Sequence, residues 1–215
     1  MNIALSTAYT HSELSRCAMP EKNNFQEIEM PKIAEIETTP NPNAIKFILK
    51  EPLSWGIACS YDNAEQAKDD VLASRLFEIP HVSNVFYVDK WITVTQDGEV
   101  DWKDLVRQVA DPIRFAAAAE AQSEATIAAA NAAMDNLSPE DQQRMKKFIA
   151  ILDEKIRPYL KSDGGDINVV GLSGKQLSVH YQGACGSCPS SLSGTLNAIV
   201  HLVRTIEPDI EVLAV

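Results

Sequence analysis

Short runs in the first half of the chain either alternate between apolar and polar residues or are rich in β-branched and aromatic residues, which indicates strands. Two other runs repeat apolar residues at the spacing of one helix face. In chain order, the predicted elements are strands 33–38 and 44–49, a helix 64–77, strands 85–88 and 91–95, and a helix that begins at Asp101. Together these elements predict a small α/β domain over residues 32–111.

The last third of the chain carries a second set of patterns. Ser138 and Pro139 form a helix start signal, and the apolar residues of one helix face follow it: Met145, Phe148, Ile149, Leu152 and Ile156. The later elements are strands 167–172 and 176–181, a helix from about 189 to 206, and a strand 210–214. This order predicts an α-β-β-α-β domain over residues 138–215.

The segments outside these two domains have distinct compositions. Residues 1–31 are polar without periodicity, and we interpret them as a flexible N-terminal arm. Residues 112–137 are rich in alanine, which favours helix but gives no broad apolar stripe, and we interpret them as a helical linker. The prediction is therefore an α+β protein of two small domains, the C-terminal one α-β-β-α-β, joined by an alanine-rich helical linker.

Charge narrows the range of partners. The formal net charge is −11, and residues 1–137 carry 11 Lys or Arg against 21 Asp or Glu. An acidic surface repels phosphate backbones, so nucleic acid is not an expected partner. The charge fits either simple solubility or an acidic docking face for partner proteins.

The hydropathy and the first residues of the chain indicate where the protein works. No apolar run reaches the ~18 residues of a membrane span, so no membrane partner is expected. Residues 1–18 lack the basic and apolar regions of a secretory signal, and they lack the arginine-rich composition of a mitochondrial presequence. The expected location is therefore cytoplasmic.

The cysteines are the main candidates for chemistry. The chain has four, and only Cys185 and Cys188 are closely spaced. In a reducing compartment such a pair is typical of metal binding or redox chemistry rather than of a structural disulfide. Cys17 is interpreted as incidental, and Cys59, in a hydrophobic stretch, as a buried small apolar residue.

The segment from Gly183 to Ser190 favours thiolate chemistry. Two cysteines three positions apart can direct both thiols at one metal centre, and the two glycines allow the backbone to turn around it. Pro189 suits the first turn of a helix, where the helix dipole stabilises a nearby thiolate. The motif is expected to lie outside the hydrophobic core.

Two cysteines make an incomplete ligand set, because zinc and iron–sulfur sites usually take four ligands. His180 and His201 are interpreted as surface residues rather than ligands, and a second copy of the loop in a two-fold dimer is the simplest completion. A dithiol oxidoreductase and a zinc-bridged dimer remain alternatives. The oxidoreductase requires a βαβ context, whereas two antiparallel strands are predicted before this motif.

Several segments also resemble a known family. Residues 141–214 resemble the NifU C-terminal (Nfu) domain, through Ile156–Leu160, Asp163–Asp166 and Gly183–Ser191. Residues 35–111 resemble the N-terminal domain of Nfu proteins, through Thr39–Phe47 and Arg75–Val82.

The resemblance implies a scaffold or carrier rather than an enzyme. It implies that Cys185 and Cys188 bind a [4Fe–4S] cluster, or in fewer members a [2Fe–2S] cluster, which bridges a homodimer. Apo iron–sulfur proteins would be clients, and an upstream donor would supply the cluster. The Asp163–Asp166 segment is interpreted either as a tight turn or as a loop that shapes the cluster site.

Overall fold

A computed structural model describes residues 32–117, 138–188 and 194–215. The predicted arm, most of the predicted linker and the predicted first turn of the last helix lie outside the described residues. Two sheets are present, one in each half of the chain. We refer to residues 32–117 as the N-terminal domain and to the described residues from Ser138 onward as the C-terminal domain.

The N-terminal domain is a five-stranded antiparallel sheet with two helices on one face. Its elements are β1 Ile33–Thr38, β2 Ala44–Leu49, β3 Cys59–Tyr61, α1 Val71–Phe77, β4 Val82–Val88, β5 Trp91–Gln96 and α2 Trp102–Arg114. The strand order is β1-β2-β5-β4-β3. The short strand β3 was not predicted.

Helix α1 begins later than the predicted start at Ala64. The side chain of Asp70 accepts a hydrogen bond of 2.7 Å from the backbone N–H of Ala73. This bond satisfies one of the N–H groups that a helix start leaves unpaired, so it places the start at Val71. Residues 64–69 form turns instead.

Both faces of the N-terminal sheet are buried. Phe47, Ile92 and Val94 face α1 and α2 and form the core of this domain. Alternate residues point to the other face of a sheet. On that other face Phe86 and Thr93 are also fully buried, because the C-terminal domain packs there.

The C-terminal domain is a three-stranded sheet packed against helices. Its elements are α3 Pro139–Lys155, α4 Arg157–Ser162, β6 Gly165–Ser173, β7 Gln176–Gly183, α5 Leu196–Ile206 and β8 Glu211–Ala214. Strands β6 and β7 are antiparallel, and β7 and β8 are parallel. Among the described residues, no helix is long and apolar enough to cross a membrane.

The order of elements differs from the predicted one by the additional helix α4. A proline disfavours the continuation of a helix, and α3 ends at Lys155, shortly before Pro158. Pro158 then lies in the first turn of α4, where its missing N–H costs no hydrogen bond. Ser138 caps α3 as predicted, because its hydroxyl accepts from the N–H of Asp141 at 3.1 Å.

The core of the C-terminal domain lies between α3, α5 and one face of the sheet. Phe148 and Leu152 of α3 meet Leu177 and Val179 of β7, with Ile199 of α5 alongside. The alternation in β7 was predicted: Leu177, Val179 and Tyr181 are buried, whereas Ser178 and His180 are only half-buried. This core holds the end of β7, from which the cysteine loop starts.

Candidate functional site

The cysteine loop, residues 183–188, turns sharply at the end of β7. Gly183 has a φ of +62°, a left-handed conformation that favours glycine. The N–H of Gly186 donates to the carbonyl of Gly183 at 3.1 Å, which closes the turn. Cys185 and Cys188 therefore lie on one compact loop.

The predicted turn at Asp163–Asp166 contacts this loop directly. The N–H of Ala184 donates to the carbonyl of Gly164 at 3.1 Å, and Gly165 is paired with Gly183 across β6 and β7. A Cβ atom added to Gly165 would lie 2.4 Å from Sγ of Cys185. The segment is thus both a tight turn, with Gly164 at a φ of +82°, and the surface on which Cys185 rests.

A buried ion pair fixes the start of β6 beside the loop. Asp166 is 2% exposed, and its carboxylate accepts from Nη1 of Arg157 and from the N–H of Ile167. Arg157 also donates to Asp153 at 2.8 Å. A buried carboxylate is stable only when paired, so this arrangement ties α3, α4 and β6 together behind Gly165. The role of Arg157 was not predicted.

The two cysteines are buried rather than displayed. Cys185 is 1% exposed and Cys188 is 2% exposed, and Cys185 packs in the core of the C-terminal domain. The prediction that the motif lies outside the core is therefore wrong for Cys185. The cause is the close approach of Gly165, which lets the loop fold inward.

Tyr181 is a titratable residue of the core that interacts with Cys185. Its hydroxyl is buried and has no hydrogen-bond partner among the described residues. Burial raises the pKa of Tyr181 to about 12, and the proximity of Cys185 acts in the same direction. Tyr181 therefore stays neutral at physiological pH.

The other cysteines and the histidines do not join the loop in the described part of the chain. Cys59 is half-buried in β3, and burial raises the pKa of its thiol. His180 contacts the carbonyl of Val215 at 2.8 Å, and His201 is exposed on α5, so both lie where they were predicted. Cys17 lies outside the described residues.

The donor chemistry of the loop suits a thiophilic metal centre. Two thiols are available, and no third His, Cys, Asp or Glu ligand atom among the described residues forms a metal-binding group with them. Iron–sulfur and structural zinc sites take about four ligands. One chain therefore offers half of such a site.

The loop also lies between the first strand and the helix of a βαβ unit. Strand β7 precedes the loop, α5 follows it, and β8 then pairs parallel to β7. The antiparallel pair β6 and β7 was predicted correctly. However, the expectation that the motif lacks a βαβ context is wrong. This topology keeps dithiol redox chemistry as an alternative.

Comparison with known proteins places the chain in a family. A family model described as Scaffold protein Nfu/NifU N terminal matches residues 33–119, and one described as NifU-like domain matches residues 149–213. The human protein named NFU1 iron-sulfur cluster scaffold homolog, mitochondrial, is 31% identical over 180 residues, covering 82% of this chain and 69% of that relative. This chain belongs to the Nfu family of iron–sulfur cluster scaffolds.

A second relative agrees with this family. NifU-like protein 5, mitochondrial, of Arabidopsis thaliana is 28% identical to this Nfu chain over 217 residues, covering 95% of the chain and 78% of the relative. A solution structure of a NifU-like protein from Saccharomyces cerevisiae is 22% identical, with a TM-score of 0.36, and covers 46% of this chain and 88% of that one. The predicted cytoplasmic location is wrong, because the human and Arabidopsis relatives are named mitochondrial.

The contact between Gly165 and Cys185 can be tested by stability. We expect Gly165→Ala to lower the free energy of unfolding of the C-terminal domain of this Nfu protein by about 1–3 kcal/mol, because the new methyl overlaps the cysteine and the carbonyl of Gln182. Urea unfolding followed by far-UV circular dichroism measures the change. Gly171→Ala is the matched control in the same strand, since nothing lies within 4 Å of its added Cβ. Equal stability of the two variants would contradict the contact.

Proposed function

We propose that this Nfu protein is a carrier that holds a [4Fe–4S] cluster between two subunits and passes it to apo iron–sulfur proteins. The observation that carries the proposal is the compact loop with Cys185 and Cys188, which gives one chain two of the about four ligands that such a cluster takes. Two copies related by a two-fold axis supply four. The cluster is cargo, and no catalytic role is proposed.

Transfer needs no change of oxidation state. Thiolates of a client protein replace the thiolates of Cys185 and Cys188 at iron one for one, and the carrier thiolates take up protons as they leave. The cluster core keeps its iron and sulfide throughout. An upstream donor loads the carrier by the same exchange in reverse. The names of the relatives support a mitochondrial setting for these steps.

A second candidate function is dithiol–disulfide exchange. It is favoured by the βαβ unit that the loop opens, which resembles the setting of redox CxxC motifs. Against it stands the small sheet of three strands, and the family points to a scaffold.

Anaerobic reconstitution with iron and sulfide tests the proposal. The expected product is brown, with broad visible absorption that bleaches in air, and contains about four iron and four sulfide per dimer. About two of each would indicate a [2Fe–2S] cluster instead. A colourless protein that retains zinc, or a metal-free protein that cycles between dithiol and disulfide, would contradict the carrier.

A further inference from the structure

The N-terminal domain covers the cysteine loop. Asn41, in the turn between β1 and β2, donates from Nδ2 to the carbonyl of Ala184 and to Oγ of Ser187, each at 3.0 Å. Both acceptors belong to the loop, and Asn41 is 2% exposed. A residue of one domain thus forms hydrogen bonds to the loop of the other domain both before and after Cys185 in the sequence.

The contact extends over the outer face of the N-terminal sheet. The ring of Phe86 lies against Gly183, where an added Cβ would be 2.8 Å from the ring. Thr39 and Thr93 lie against Gly164 in the same way. Lys46 donates to the carbonyl of Ser162 at 3.4 Å. The covered region therefore includes both segments that position Cys185.

The residues in this contact are suited to reversible association of the two domains. The hydroxyl of Thr93, which lies against Gly164, and that of Thr95 on the same face of the sheet are buried with no hydrogen-bond partner among the described residues. Buried polar groups without partners are costly, and each would regain water if the domains separated. Among the described residues, the larger apolar side chains of this face include the buried Phe86 and Val88 and the half-buried Trp91.

The covered state is incompatible with a shared site. A ligand that bridges two subunits needs both thiols at the surface, whereas Cys185 and Cys188 are 1% and 2% exposed. Asn41 and Phe86 occupy the outside of the loop at Ala184, Ser187 and Gly183, so a second loop cannot approach from that side while they are in place. The other side of Cys185 is the core of its own domain.

We propose that the N-terminal domain is a cover for the cysteine loop, and that it moves off before a second copy of this chain or a client can share the site. The covered form shields the thiols of the empty carrier from oxidation and from unintended metals. This inference deepens the proposed function and rests on it for its biological meaning. The cover itself is a property of the apo-protein.

The variant Asn41→Asp tests the cover with little change of shape. The retained Oδ1 still accepts from the N–H of Asn43 at 3.0 Å, so the turn is kept. The donor is replaced by an oxygen that repels the carbonyl of Ala184, whereas the hydroxyl of Ser187 can rotate to donate to it, so the contact with Ala184 is the one that is lost. Asn43→Asp is the matched control, with the same change of charge in the same turn.

The measurement is the rate at which a small thiol reagent modifies Cys185 and Cys188 in the native apo-protein, in a Cys17→Ser/Cys59→Ser background. We expect Asn41→Asp to react about tenfold faster or more, because a buried donor–acceptor pair is lost, and Asn43→Asp to match the parent. A negative charge near a thiol disfavours the thiolate and slows its reaction, so a faster rate reports exposure.

Lys46→Met provides a second variant away from the loop. It removes the contact with Ser162 without touching the Asn41 turn, and a smaller increase in rate is expected. Equal rates in the parent and in both variants would overturn the cover, as would an equal increase in Asn43→Asp. These rates need no cluster, so they can fail or succeed independently of the reconstitution that tests the carrier.

Discussion

Cys185→Ser and Cys188→Ser are each expected to abolish cluster binding while the protein stays folded. Each change removes one thiolate per chain and therefore two of the four in a dimer, and a serine hydroxyl is not ionised at neutral pH. A hydroxyl in place of the buried thiol costs about 1–3 kcal/mol, which leaves most of the stability of a domain. Iron and sulfide analysis after reconstitution, with circular dichroism on the same sample, measures both effects.

Cys59→Ser is the control for this prediction. Cys59 lies in β3 of the N-terminal domain, and burial raises the pKa of its thiol, so it is expected to remain protonated and to leave the cluster unaffected. Cys17→Ser should behave in the same way. Full iron content in either loop variant would reject the site, and loss of iron in Cys59→Ser would reopen the ligand assignment.

Cluster loading is expected to convert the protein from monomer to dimer. Because the cluster takes ligands from two chains, its binding and the association of the chains are thermodynamically linked. The dissociation constant of the dimer should fall by at least about a hundredfold on loading, which is the size of effect expected for a ligand far above its own dissociation constant. Anaerobic sedimentation velocity at micromolar concentration distinguishes the two forms.

Removal of the cluster completes that experiment. A chelator, or exposure to air, should return the loaded protein to monomer, and Cys185→Ser should remain monomeric throughout. A monomer that keeps its cluster would show that the remaining ligands are internal or come from a small thiol. That outcome would remove the shared site from the proposal while leaving iron–sulfur binding intact.

The local pattern of the sequence was sufficient for elements that pack as their periodicity implies. Strands β1 and β2 match the predicted ranges, and the apolar face of α3 lies in the core. Strand β3 was missed because three residues, Cys59 to Tyr61, are too few to show a period. Helix α4 was missed because a sequence does not show whether a new helix begins at the proline that follows the previous one.

The sequence was sufficient to predict the cysteine motif, but not the residues of the other domain that contact it. Thr93 and Thr95 alternate with apolar residues, a pattern typical of a face in water, yet both are buried, and Thr93 lies against Gly164 of the other domain. The sequence around Asn41 does not indicate its hydrogen bond to Ala184, 143 positions later. Contacts of this kind form between the surfaces of two folded domains, so a local sequence pattern does not predict them.

The polar contact between the domains also affects how the protein unfolds. Within the described residues, the core around Phe47 and the core around Phe148 share no side chain. Cooperative unfolding requires shared packing, so the two halves are expected to melt as separate units rather than in one transition. All three tryptophans, Trp55, Trp91 and Trp102, belong to the first half. Tryptophan fluorescence therefore follows the unfolding of the N-terminal half, while the unfolding of the cysteine half is measured by other signals.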